Sequence, residues 1–106
     1  MIATISGISA ATSRQSLVYR AIKPVIIEAV EGQDSDNPAY ITLIVTPAGS
    51  QYQGCSLAAG PSSIPGGQVT WSGLLTLDHD EEVRAYFDYS AVSDRLYLTL
   101  KLRDQQ

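Results

Sequence analysis

Apolar and polar residues alternate over three consecutive segments between Gln68 and Leu102. With Leu74 as the one exception, the apolar side chains in each segment occupy every second position, which is the period of a half-buried β-strand and not of a helix. These positions are Val69, Trp71, Leu75 and Leu77, then Val83, Ala85, Phe87 and Tyr89, then Leu96, Leu98, Leu100 and Leu102. Because the polar breaks between the segments have the length and composition of hairpin loops, the pattern predicts a three-stranded meander.

Two earlier regions are also rich in β-branched residues. Residues 17–30 are interrupted by Pro24, which predicts two strands or one bent edge strand, and residues 40–46 predict another strand. The meander has one apolar face, so these regions must supply the opposing sheet, with Trp71 and Phe87 as the largest core residues. The sequence therefore predicts an all-β protein, a small antiparallel β-sandwich, or a barrel or jelly-roll-like variant, of about six to eight strands.

Two stretches predict loops. Residues 31–38 combine glycine, proline and acidic or amide residues, which favour turns. Residues 47–67 are broken up by repeated glycine and proline, although Gln51–Gln53 could form a short strand. Loops of that length in a compact domain are commonly functional or disordered, so we expect the 47–67 loop to contact the domain or a partner.

The first sixteen residues are small and polar with widely spaced isoleucines. Such residues are poor helix formers, and the segment predicts an extended N-terminal arm over residues 1–16, followed by a single sandwich domain over residues 17–106. Three states are compatible with the composition of the arm. They are a frayed terminus, a segment ordered along a neighbouring subunit, and a first edge strand of the same domain.

The charge of the chain limits the classes of partner that it can bind. Only 17% of residues are charged and the net charge is −4, with scattered lysines and arginines, which argues against a nucleic acid or an anionic membrane as the partner. A sparsely charged surface favours contacts with protein. The single cysteine, Cys55, excludes an internal disulfide, and the N-terminus lacks the features of a signal peptide, so we expect synthesis in the cytoplasm.

Residues suited to chemistry are few. His79 is the single histidine and lies between Asp78 and Asp80 in a predicted turn, without a nucleophile motif around it. The acidic pair Asp34 and Asp36 and the acidic stretch 78–82 fit solvated turns better than calcium loops, because the remaining EF-hand positions are missing. The sequence predicts no catalytic residue, no cofactor-binding residue and no metal site, and hence no enzyme.

Tyrosine is the most frequent aromatic residue, with six copies. Tyrosine rings cover sugars or protein interfaces while the hydroxyl stays in water. Tyr86 and Tyr97 lie on the polar face of the predicted meander and would be neighbours if their strands pair. Together with Tyr40 they are the candidate ligand or interface residues.

These features favour a non-enzymatic structural or assembly protein that forms a homo-oligomer or joins a larger particle. In type, the chain is similar to small virion proteins of bacterial viruses, such as capsid decoration or head and tail accessory proteins, which are short, all-β and poor in cysteine. No motif fixes a family, so this resemblance implies no residue roles. The alternative is a carbohydrate- or peptide-binding module that uses the tyrosine face or the 47–67 loop.

Overall fold

The computed structural model describes residues 1–10, 14–46, 55–62 and 67–104. Within this part of the chain there are eight strands and no helix. The strands are β1 (Ile2–Ile8), β2 (Gln15–Arg20), β3 (Val25–Asp34), β4 (Tyr40–Thr46), β5 (Cys55–Pro61), β6 (Gln68–Leu77), β7 (Glu82–Asp88) and β8 (Arg95–Asp104).

The strands form two four-stranded antiparallel sheets that pack face to face. Sheet A has the order β1-β8-β3-β6, and sheet B has the order β2-β7-β4-β5. The predicted antiparallel sandwich is therefore confirmed. Of the strands described, only β4 and β5 are neighbours both along the chain and in a sheet, whereas every other connection crosses from one sheet to the other.

The predicted meander is wrong. Strands β6 and β8 belong to sheet A, and β7 between them belongs to sheet B. The predicted opposing sheet is likewise divided, since β3 joins sheet A while β2 and β4 join sheet B. The physical reason is that a connection of hairpin length can also bridge two packed sheets, which lie about 10 Å apart.

The predicted alternation of faces is largely confirmed. Phe87 is fully buried in β7. The leucines at the even-numbered positions of β8 are at most 2% exposed. Trp71 is only partly buried, because β6 is an edge strand and the indole lies over Gly73. Tyr89, predicted on the inner face, is 81% exposed, because the chain leaves β7 at Asp88 and Tyr89 adopts a φ of 67°.

The N-terminal segment is extended, as predicted, and it is an edge strand of the sandwich. Strand β1 pairs with β8 from Ile2 opposite Lys101 to Ile8 opposite Arg95, and Ala3 and Ile5 pack against the core. For Ile2–Ile8, the structure therefore has the third of the states considered for residues 1–16, the first edge strand of the same domain. The stretch from Gln15 onward already belongs to β2.

Both predicted loops are shorter in the structure. Strand β3 continues to Asp34, because its inward residues remain buried beyond Val30, and the loop begins at Ser35. The irregular 47–67 stretch contains strand β5, which pairs with β4 despite Gly60 and Pro61 because it lies at the edge of sheet B. The short strand suggested at Gln51–Gln53 lies outside the described residues.

Candidate functional site

The three candidate tyrosines are divided between the two outer faces of the sandwich. Tyr40 and Tyr86 lie on the outer face of sheet B, where Tyr40 is opposite Asp88 and Tyr86 is opposite Thr42. Tyr97 lies on the outer face of sheet A, between Ser6 and Gln33. The prediction that Tyr86 and Tyr97 are neighbours is wrong, because their strands are in different sheets. Their role as ligand or interface residues stays a prediction.

The ring of Tyr86 is covered by an arginine. The Arg14 guanidinium lies 4.8 Å from the ring centroid, and Arg84 lies 5.9 Å from it. Arg14 is held by Asp88, which accepts from its Nε at 2.8 Å and from its Nη2 at 3.0 Å, and this ion pair raises the pKa of Arg14. A cation over the ring occupies the surface that a sugar would use, so Tyr86 offers little open platform.

Further ion pairs lie on the outer face of sheet B, around Glu82. Glu82 accepts from Arg20 at 2.8 Å and from Arg84 at 3.1 Å. The hydrogen bond from Arg20, helped by the one from Arg84, lowers the pKa of Glu82. Exposed pairs of this kind contribute little to stability, so they fix the side chains of this face more than they stabilise the fold.

A small apolar cleft lies beside Tyr40. It has a volume of about 350 Å³ and is lined by Pro38, Ala39, Tyr40, Pro61, Ser62 and Tyr89. Its base is fixed because the buried hydroxyl of Ser62 accepts from the Ala39 amide at 2.9 Å and donates to the Ala39 carbonyl at 3.0 Å. Tyr89 was not predicted as a site residue, and its position here depends on the positive φ that turns it outward.

Among the described strands, β1 pairs only with β8, and its other edge, the free edge of β1, is a second accessible feature. Met1 and Leu102 exchange two backbone hydrogen bonds, of 3.0 and 2.8 Å, and the Ser9 amide donates to the Asp94 carbonyl at 2.9 Å. Hydrogen-bonded and non-hydrogen-bonded pairs alternate in an antiparallel ladder, so the odd residues of β1 direct their amides toward β8. The amides and carbonyls of Ile2, Thr4, Ser6 and Ile8 therefore face away from it.

Three carboxylates meet at one end of the sandwich. Asp34 ends β3, Asp36 lies in the following loop and Asp94 immediately precedes β8, and an oxygen from each lies within 4.8 Å of the others. Asp34 is fully buried and Asp94 is 2% exposed. The expectation that Asp34 belongs to a solvated turn is therefore wrong, because the β7–β8 connection packs over it. Nothing in the sequence places Asp94 beside it.

Hydrogen bonds occupy most oxygens of this acidic cluster, Asp34, Asp36 and Asp94. Asp34 Oδ1 accepts from the amides of Asp36 and Asn37, both at 3.1 Å. Asp94 accepts from the Asn37 side-chain amide at 2.6 Å and from the Ala91 amide at 2.9 Å. Asp34 Oδ2 is buried without a hydrogen-bond partner.

The pKa values of two members of the acidic cluster, Asp34 and Asp36, are shifted in opposite directions. Burial, followed by the neighbouring Asp94 carboxyl, raises the pKa of Asp34 to about 6. The Arg95 side chain, followed by the Arg95 amide, lowers the pKa of Asp36 to about 2. Asp36 accepts from Arg95 Nη2 at 2.9 Å and from the Arg95 amide at 2.7 Å. Asp36 is therefore ionised at neutral pH, whereas burial beside a second carboxyl group disfavours the ionised form of Asp34.

The turn that contains His79 is exposed. The His79 side chain is 66% accessible and lies 3.3 Å from Asp80, which has a φ of 68°. The Asp78 amide donates to the Glu81 carboxylate at 2.6 Å, which closes the turn. Among the described residues, no nucleophile is paired with this imidazole.

Neither a protein-family model nor a curated protein matches the chain. Among solved structures, it is similar to a chain in the structure of infectious bursal disease virus, Gx strain, with a TM-score of 0.32 and 9% identity. The alignment covers 95% of this chain and 32% of that chain. A TM-score this low does not support a common fold, and no function follows from it. Within the described residues, no helix is long and apolar enough to cross a membrane.

Proposed function

We propose that this protein is a non-enzymatic structural protein that assembles with copies of itself through the edge of sheet A. A virion component of a bacterial virus, such as a capsid decoration or head and tail accessory protein, is the role that fits its type. The observation that carries the proposal is the free edge of β1.

This edge lacks the features that prevent association. An exposed strand edge is a template for pairing with another strand, and monomeric proteins block it with charged residues, proline, bulges or very short strands. Strand β1 has seven residues, a regular register with β8, and no charged residue or proline. Its exposed side chains include Ile2 and Ile8, which are 62% and 64% exposed. The edge therefore favours a partner strand.

The simplest partner for this edge is strand β1 of a second copy of the chain. A two-fold axis at Ile5 would place Ile2 opposite Ile8 and Thr4 opposite Ser6 of that copy. All four residues direct their free amides and carbonyls toward the shared edge, so each pair could exchange two hydrogen bonds. The same register brings apolar side chains together at both ends. A self-complementary edge of this kind gives a closed, symmetric dimer.

Replacing Thr4 with proline tests the proposal. Proline removes the outward amide of Thr4 and leaves the ladder with β8 intact, because that amide does not face β8. We expect the wild-type chain to show a concentration-dependent dimer by light scattering after size exclusion, and Thr4→Pro to be a monomer. Thr4→Val keeps the amide and the strand shape and should remain a dimer.

The circular dichroism spectrum and thermal unfolding of each variant show whether the sandwich is intact. A folded Thr4→Pro chain that dimerises as strongly as Thr4→Val would show that the edge of β1 is not the interface. A wild-type chain that stays monomeric at every concentration would exclude self-assembly in solution.

The cleft beside Tyr40 favours a second candidate function, the binding of a peptide or carbohydrate. The cleft is lined by two prolines and two exposed tyrosines, Tyr40 and Tyr89, and its volume suits a few residues of a ligand. We expect a titration of proline-rich peptides and linear oligosaccharides, followed by calorimetry, to find saturable binding that Tyr40→Ala abolishes. Tyr97→Ala, on the other sheet, is the matched control. Equal binding by both variants would place the ligand elsewhere.

A further inference from the structure

We propose that Asp34, Asp36 and Asp94 bind one calcium-sized divalent cation at the end of the sandwich where β3 ends and β8 begins. This inference is independent of self-assembly, because the acidic cluster is built entirely within one chain.

The unpartnered oxygen of Asp34 is the observation that points to a ligand. Asp34 is fully buried, and the amides of Asp36 and Asn37 occupy only its Oδ1. Oδ2 has no hydrogen-bond partner. A buried carboxylate oxygen without a partner carries a large desolvation cost, which a bound cation offsets. Acidic turns in water show no such oxygen.

The net negative charge of the cluster is compatible with a bound divalent ion. The three ionised carboxylates carry three negative charges, and within the described part of the chain Arg95 is the cation that pairs with them. Arg95 pairs with Asp36 and is 59% exposed, so it reaches the rim and not the buried pair Asp34 and Asp94. Asn37 contributes a neutral amide. The net charge of this group, about −2, matches one divalent cation.

Calcium fits this set of ligands better than magnesium. Calcium takes six to eight oxygen ligands at about 2.3–2.6 Å in a flexible geometry, whereas magnesium demands a near-ideal octahedron at about 2.0–2.1 Å and loses its water reluctantly. An oxygen from each of the three carboxylates lies within 4.8 Å of the others, which is compatible with ligands of one calcium ion. Water would complete the coordination.

The competing occupant is a proton, which would let one of the two carboxyl groups, Asp34 or Asp94, donate a hydrogen bond to the other. Calcium titration separates the two occupants, because a shared proton gives no calcium-dependent change.

Thermal unfolding of the chelator-treated protein with and without added calcium tests the site. At about pH 7.5 we expect calcium to raise the unfolding midpoint of the wild-type chain by about 10 °C or more at a hundredfold excess over Kd. Magnesium should raise it less. Asp34→Asn should remove the calcium shift, whereas Asp80→Asn, in the exposed β6–β7 turn, should retain it in full.

Calorimetric titration of the native wild-type chain provides a second measurement that does not depend on a variant folding. We expect one calcium per chain. The absence of a calcium shift in the wild-type chain would overturn the proposal. A shift that is unchanged in a folded Asp34→Asn or Asp94→Asn variant would overturn it as well.

Discussion

Replacing Phe87 with alanine is expected to lower the free energy of unfolding by about 3–5 kcal/mol. Phe87 is the largest side chain that the described part of the core buries completely. It lies in β7, between Gln15 of β2 and Ile41 of β4, and faces sheet A across the sandwich. Truncation removes the apolar contacts of the ring and leaves a cavity that the flanking strands cannot close. Urea unfolding followed by circular dichroism measures the loss.

Tyr89→Ala is the matched control for Phe87→Ala. It removes an aromatic ring two residues further along the chain, but this ring is 81% exposed. We expect a change within about 0.5 kcal/mol, as for most surface substitutions. Equal losses for the two variants would show that the ring of Phe87 does not lie in the core.

The second large effect is expected at Gly32, where β3 of sheet A lies against β4 of sheet B. A Cβ atom on Gly32 of β3 would lie 2.7 Å from Ile41 Cγ2 and 3.2 Å from Leu43 Cδ2, and both side chains are fully buried in β4. Gly32→Val adds two further methyl groups to this contact. We expect a loss of about 1–3 kcal/mol or more, because neither sheet can move away without breaking its other contacts.

Gly60→Val places the same side chain in a different environment. A Cβ on Gly60, in the edge strand β5, would meet nothing within 4 Å. Its free energy of unfolding should change by less than about 0.5 kcal/mol. If Gly32→Val were equally neutral in urea unfolding, the separation of the sheets at Gly32 would have to be larger than the structure shows.

The proposed self-assembly and the proposed cation site lie in different parts of the molecule. The free edge of β1 is the proposed contact between chains, and its residues are uncharged. The acidic cluster includes Asp94, which lies in the connection between β7 and β8. Tyr89, which lines the cleft, lies in the same connection. A cation at Asp34 and Asp94 would therefore hold that connection in place, and the variants at Thr4 and Asp34 test the two properties independently.

The sequence by itself determined which side chains of β7 and β8 point inward. The alternation of Val83, Ala85 and Phe87 in β7, and of the leucines in β8, predicted their burial because a strand with one buried face must place an apolar residue at every second position. The same pattern determined the class of fold. Pro24 also marked the break between β2 and β3.

Only the tertiary structure decided which strands pair. A period of two is the same whether the next strand lies beside its predecessor or across the core, so the sequence could not distinguish a meander from strands that cross between sheets. This choice separates Tyr86 from Tyr97 and brings Asp94 to Asp34, sixty positions earlier. The alternation of residues is a local property of one strand, whereas the candidate sites depend on contacts between strands that packing of the whole core selects.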